Sequence, residues 1–163
     1  MKRILTVLFV FSYVLGAIAC QSPTDYRDDI PTSTLFSSAV SALPPNSDYV
    51  FADDFYLDAY FKTPDFVTEQ SILYAEDGSN LNEIGIFHVS DGEAKAMETL
   101  IRGYLSETLA QNQAFYDSYI PQETNKLRHA EVRSYGNYVT YAILDENDKK
   151  IFFSAIEDAL RKI

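Results

Sequence analysis

The sequence predicts an α+β domain: an antiparallel sheet of about four strands packed against one long helix and a C-terminal helix. Three observations carry this. First, the short apolar run Ile84, Ile86, Phe87 and Val89 leads into Ala94, Met97, Leu100, Ile101, Tyr104, Leu105, Thr108 and Leu109, spaced at three- and four-residue steps. The run has the β-branched and aromatic character of a strand, and the spacing is one apolar stripe on a helix of about 25 residues. Second, turn-forming residues join apolar runs in pairs, at Glu76-Asp77-Gly78-Ser79-Asn80 and at Gly136-Asn137. Third, Phe152, Ala155, Ile156, Ala159, Leu160 and Ile163 stripe a closing helix. Stripes of this kind need a surface to cover, and the sheet supplies it.

Taken in order, the chain opens with Met1, Lys2 and Arg3 and an apolar run from Ile4 to Ala19. That run is short for a membrane span and has the basic, apolar, small layout of a secretory signal, so 1–19 is expected to be a signal peptide. It ends Leu15-Gly16-Ala17-Ile18-Ala19-Cys20, which resembles the lipobox of bacterial lipoproteins, with Ala17 where Leu is usual. Ala17-x-Ala19 also suits a general signal peptidase. Cys20 is the only cysteine, so it has no partner for a disulfide within the chain, and lipidation at Cys20 is the use that fits.

Residues 20–31 are polar, acidic and flanked by Pro23 and Pro31, the composition of a lipid-proximal tether that buries nothing. From 32 to 163 the chain has one domain's length. Leu35, Phe36, Ala39, Val40 and Leu43 stripe a first helix ended by Pro44-Pro45. Asp53 to Phe61 allows a short helix or a strand. Ser71 to Ala75 reads as a strand forming a hairpin with the Ile84–Val89 run. Ser90 and Glu93 have capping-box spacing and predict the start of the long helix. Gly103 within it suggests a close helix crossing. Pro121 to Ala130 gives a helical turn or two, and Glu131–Tyr135 with Tyr138–Leu144 forms the second hairpin.

With 24 acidic and 13 basic residues the net charge is −11, and removing Lys2 and Arg3 with the signal makes it −13. This argues against nucleic acid as a partner and against electrostatic adhesion to anionic lipid. Membrane contact is expected through the lipid anchor alone.

Three pieces together resemble a known family: Asn82-Glu83-Ile84-Gly85-Ile86-Phe87; Gln113 with Phe115, Tyr116, Tyr119 and Pro121; and Gly136-Asn137-Tyr138-Val139. They are similar to the bacterial lipoprotein family of the domain of unknown function 4358, found mostly in Clostridia-like Gram-positive bacteria. The resemblance spans about Leu35 to Ile163. It implies a lipid-anchored domain on the extracytoplasmic face of the cell membrane, and no catalytic residue.

The chemistry-bearing residues are sparse. His88 closes a run of core residues, His129 ends a basic helical segment, and no Gly-x-Ser-x-Gly elbow exposes a serine. Asp145-Glu146-Asn147-Asp148 lacks the alternation of a calcium loop and reads as a turn and helix cap. Asp53-Asp54 reads as well as a cap as it does as a catalytic pair. No cofactor and no metal is expected. Aromatics are abundant, with 12 Tyr, 11 Phe and no Trp. Alternation puts Tyr138 and Thr140 on one side of their strand and Val139, Tyr141 and Ile143 on the other. If helices cover one face only, Tyr138 and Tyr135 lie on an open face suited to a ligand; the alternative is that these rings fill a core that lacks Trp. The expected function is a non-catalytic binding or accessory module of the cell envelope, its partner an envelope protein or wall polymer. The alternative is an enzyme acting on wall polymers through paired carboxylates.

Overall fold

The computed structural model describes residues 25–45 and 49–162. Its strands are β1 (Tyr49–Phe51), β2 (Val67–Ala75), β3 (Glu83–Val89), β4 (Glu131–Tyr135) and β5 (Tyr138–Ile143). The helices are α1 (Thr32–Ala42), α2 (Asp54–Tyr60), α3 (Ala94–Tyr119), α4 (Pro121–Arg128) and α5 (Glu146–Leu160). The strands form one antiparallel sheet in the order β1-β2-β3-β5-β4. The α+β class therefore holds, with one strand more than the four expected. The extra one, β1, is three residues long, too short to display an alternation.

Helices cover both faces of the sheet. α1 and α5 lie on one, burying Leu35, Phe36, Phe152, Phe153 and Ile156 with Ile84, Ile86, Tyr138 and Ala142. On the other, Met97, Ile101 and Leu105 of α3 and Leu127 of α4 meet Phe87, Val89, Val139 and Tyr141. The alternation read in β5 is correct. The open face it was attached to does not exist, because α1 occupies it together with α5. Tyr138 is 1% exposed and Tyr135 4%. The Tyr138 hydroxyl donates to the Ile30 carbonyl at 2.6 Å and accepts from the Ile30 N–H at 3.0 Å. Both rings are core, and the expectation of exposed ligand-binding tyrosines in the last hairpin is corrected on that ground.

Three further expectations change. The long helix starts at Ala94, not at Ser90, because Gly92 sits at φ +86°, outside helical geometry, and Ser90 Oγ turns to the Phe66 carbonyl. Leu100 is 43% exposed, since the face that touches the sheet is narrowed to Met97, Ile101 and Leu105. Gly103 lies on the solvent side of α3, and a Cβ there would meet nothing within 4 Å, so no helix crosses at it. Asp53 to Phe61 resolves as a helix: Asp53 caps α2 by accepting from the Tyr56 N–H at 2.9 Å, and Phe61 is buried behind it.

The segment before α1 is packed, contrary to its reading as a tether that buries nothing. Arg27 N–H donates to the Leu160 carbonyl at 2.7 Å, and Tyr26 meets the Tyr135 ring edge-on at 5.3 Å. Asp28 Oδ1 lies 2.9 Å from His88 Nε2, and its other oxygen accepts from Asn137 at 3.1 Å. Polar composition hid this because the contacts are made by backbone groups, by the Asp28 carboxylate and by two apolar side chains, Tyr26 and Ile30, at the margin of the core. Cys20 and the predicted signal lie outside the described residues.

Candidate functional site

The side chain that stands apart chemically is Glu83, the first residue of β3. Odd-numbered residues of this strand face α2 and α3, so Glu83, Gly85, Phe87 and Val89 share a side, and a carboxylate enters a surface otherwise made of apolar groups. Glu83 is 7% exposed. Burying a carboxylate without partners would be prohibitive, and here three phenols supply them. The Tyr56 and Tyr104 hydroxyls each donate to Glu83 Oε2 at 2.8 Å, and the Tyr141 hydroxyl donates to Oε1. Tyr56 and Tyr104 hydroxyls are themselves 3.3 Å apart. Burial pushes the Glu83 carboxyl above its usual range, with the three hydrogen bonds opposing the shift. Burial and the Glu83 charge push all three phenols up, so each remains a donor through the neutral range.

Each member of this cluster comes from a different element. Gly85 is what lets Tyr141 join it. The two are directly paired across β3 and β5, and a Cβ on Gly85 would collide with the Tyr141 ring, which lies flat over the glycine and extends its hydroxyl to Glu83. Tyr56 is held by stacking on Tyr74 of β2, centroids 4.3 Å apart and planes 16° from parallel. Tyr104 leans on Phe61 at 4.5 Å.

Glu83, Tyr56 and Tyr104 form one wall of a cavity of about 470 Å³, within the size range of small-molecule sites, with Tyr141 behind Glu83 and outside the lining. It opens between α2, α3 and the β2–β3 turn. Five tyrosines line it, Tyr56, Tyr60, Tyr74, Tyr104 and Tyr116, with the amides of Asn80, Asn82, Gln111 and Asn112 at the rim. Both of its charged lining residues, Glu83 and Glu107, are acidic. Close by, Lys126 is tied to Asn82 at 3.0 Å and to Glu123 at 2.8 Å, and lies 3.6 Å from Asp145.

The residues singled out from the sequence sit elsewhere. Tyr138 and Tyr135 are in the opposite core, with His88 at 4.7 Å from the Tyr138 ring. His129 caps the end of α4, Asp53 caps α2, and Asp145 sits at the N-terminus of α5. Among the described residues no group of three or more His, Cys, Asp or Glu is placed to hold a metal ion. Glu83 and its phenols escaped sequence reasoning, although two signals were present. A glutamate heads an apolar strand, and a glycine interrupts that strand two residues later.

The family model described as Domain of unknown function (DUF4358) matches residues 57–144, which contain Glu83, Gly85, Tyr104 and Tyr141, with Tyr56 one residue before the match. No curated protein and no solved structure matches the chain.

Proposed function

We propose that this chain, which belongs to the DUF4358 family, is a lipid-anchored binding module of the cell envelope that takes its ligand in the tyrosine-lined cavity. The observation that carries this reading is a cavity of about 470 Å³ walled by a buried carboxylate and by two of the three phenols that bond it, Tyr56 and Tyr104. Such an arrangement is expensive for a core and useful for a site, since desolvated polar groups discriminate strongly between ligands.

The docked segment that begins at Asp25 and the cavity lie at opposite ends of the sheet. The docked N-terminal segment reaches His88 near the end of β3, and Glu83 is at its start. Five residues of strand separate them by about 17 Å. From Cys20 to Asp25 an extended chain spans at most about 17 Å, so a lipidated Cys20 would hold the His88 end toward the membrane and leave the cavity facing outward. Among the described residues no helix is long and apolar enough to cross a membrane. Mass spectrometry of the mature N-terminus tests the anchor: an acylated peptide beginning at Cys20 is expected, with Cys20→Ala releasing the protein to the medium. A mature terminus without acyl mass would overturn it.

One observation favours a second reading, hydrolysis of wall polymers: Glu83 and Glu107 both line the cavity. Against it, both oxygens of Glu83 already accept from tyrosines, which leaves a poor nucleophile or base. Turnover of wall glycan by the full chain, abolished in Glu107→Gln, would establish the enzyme and displace the binding module.

A further inference from the structure

We propose that the cavity selects an organic cation, a ligand carrying an alkylammonium or quaternary ammonium group, rather than a neutral or anionic one. This rests on the reading of the cavity as the ligand site and deepens it.

The argument begins with sign. Both charged groups in the lining are carboxylates, in a protein of net charge −11. Lys126, the cation nearby, is neutralised by Glu123 and Asp145. Fields from a desolvated carboxylate are weakly screened, so Glu83 projects its charge into the cavity even though its oxygens are occupied. Phenol hydroxyls spread that charge without cancelling it.

The aromatic surface points the same way. Tyr74, Tyr56, Tyr60 and Tyr104 form a continuous run, with centroid separations of 4.3, 4.7 and 6.1 Å. Tyr60, at the mouth, is 56% exposed. Ring faces attract cations and repel anions, and combined with a carboxylate they form the kind of cage that holds ammonium groups. Glu83 then contributes long-range charge, the rings contribute contact, and Glu107 on the outer surface of α3 steers the approaching cation.

The test is calorimetric titration of the full chain in detergent with three probes: cadaverine, tetramethylammonium and chitotriose. Both cations are expected to bind and chitotriose not to. Glu83→Gln, which keeps the shape and removes the charge, should weaken cation binding about tenfold or more. Tyr60→Ala, at an exposed position that leaves the fold intact, should weaken it about two- to fivefold. Should Glu83→Gln fail to fold, Glu107→Gln and Tyr60→Ala decide the matter through reduced cation affinity. If chitotriose binds in a Tyr60-dependent way and the cations do not, the charge preference is wrong while the cavity remains the ligand site. If no probe binds, or binding is indifferent to Tyr60, Glu83 and Glu107, the preference and the site fail together.

Discussion

On the face of the sheet covered by α1 and α5, Leu35, Phe36, Phe152, Phe153 and Ile156 close over Ile84 and Ile86 with at most 1% of any of them exposed. On the face covered by α2, α3 and α4, the corresponding volume holds Glu83, three phenols and a cavity of about 470 Å³. One sheet thus carries a dry core on one side and, on the other, an apolar core interrupted at its Glu83 end by a polar recess. The first face is what burial alone would produce. The second departs from it at a few named residues, and the departures converge on one place.

The largest expected effect separates the faces by packing. Phe152→Ala should cost about 3–5 kcal/mol in chemical denaturation, because the dry core has no room to relax. A loss near that of a surface substitution would show that this face is loosely packed after all. Next is Gly85→Ala, which displaces the Tyr141 ring and its bond to Glu83. About 1–3 kcal/mol is expected, with cation binding lost as well. Unchanged stability would mean that the ring has another place to lie. Gly103→Ala tests the solvent side of α3 and should stabilise by up to about 1 kcal/mol, since a methyl meets nothing there and glycine weakens a helix. A loss would point to a contact at that position.

The smallest effect is a slope in pH. Burial raises the Glu83 carboxyl, so the folded protein holds that proton more tightly than the unfolded chain, whose value is near 4.5. Its contribution to stability is present below about 4.5 and is lost as pH rises through the raised folded value. Relative to Glu83→Gln, the wild type should therefore lose stability as pH climbs above 4.5. Parallel curves for the two proteins would show that Glu83 is not desolvated. Taking the difference removes Asp29, Asp77, Glu98 and Glu146, whose carboxyls are shifted the other way by their hydrogen bonds.

What could be read beforehand follows from periodicity. The stripe of α1, both hairpins, the alternation of β5 and the closing helix all express a repeat of two or near 3.6 residues, and those were legible. Which faces are covered is not periodic information. Tyr138 was placed on the correct side of β5, yet nothing in the sequence says that α1 packs there with α5. The capping-box pattern at Ser90 failed because Gly92 takes a positive φ, a local backbone fact that outweighs side-chain spacing. The site was hidden for a different reason. Tyr56, Glu83, Tyr104 and Tyr141 lie far apart in the chain and meet only through the register that sets Gly85 opposite Tyr141. Glu83 and Gly85 marked the place, and the partners needed the fold.

The central claim, that the recess and not the dry core is the working face, is tested most directly by mapping where a cation binds. Amide and tyrosine-ring NMR signals of the full chain in detergent would be followed during titration with tetramethylammonium. Shifts concentrated at Tyr60, Gly78, Asn80 and Tyr104, with Leu35, Phe152 and Tyr138 unmoved, are the predicted result. Shifts centred on the α1–α5 face, or none at the cavity when the ligand is in excess, would contradict it.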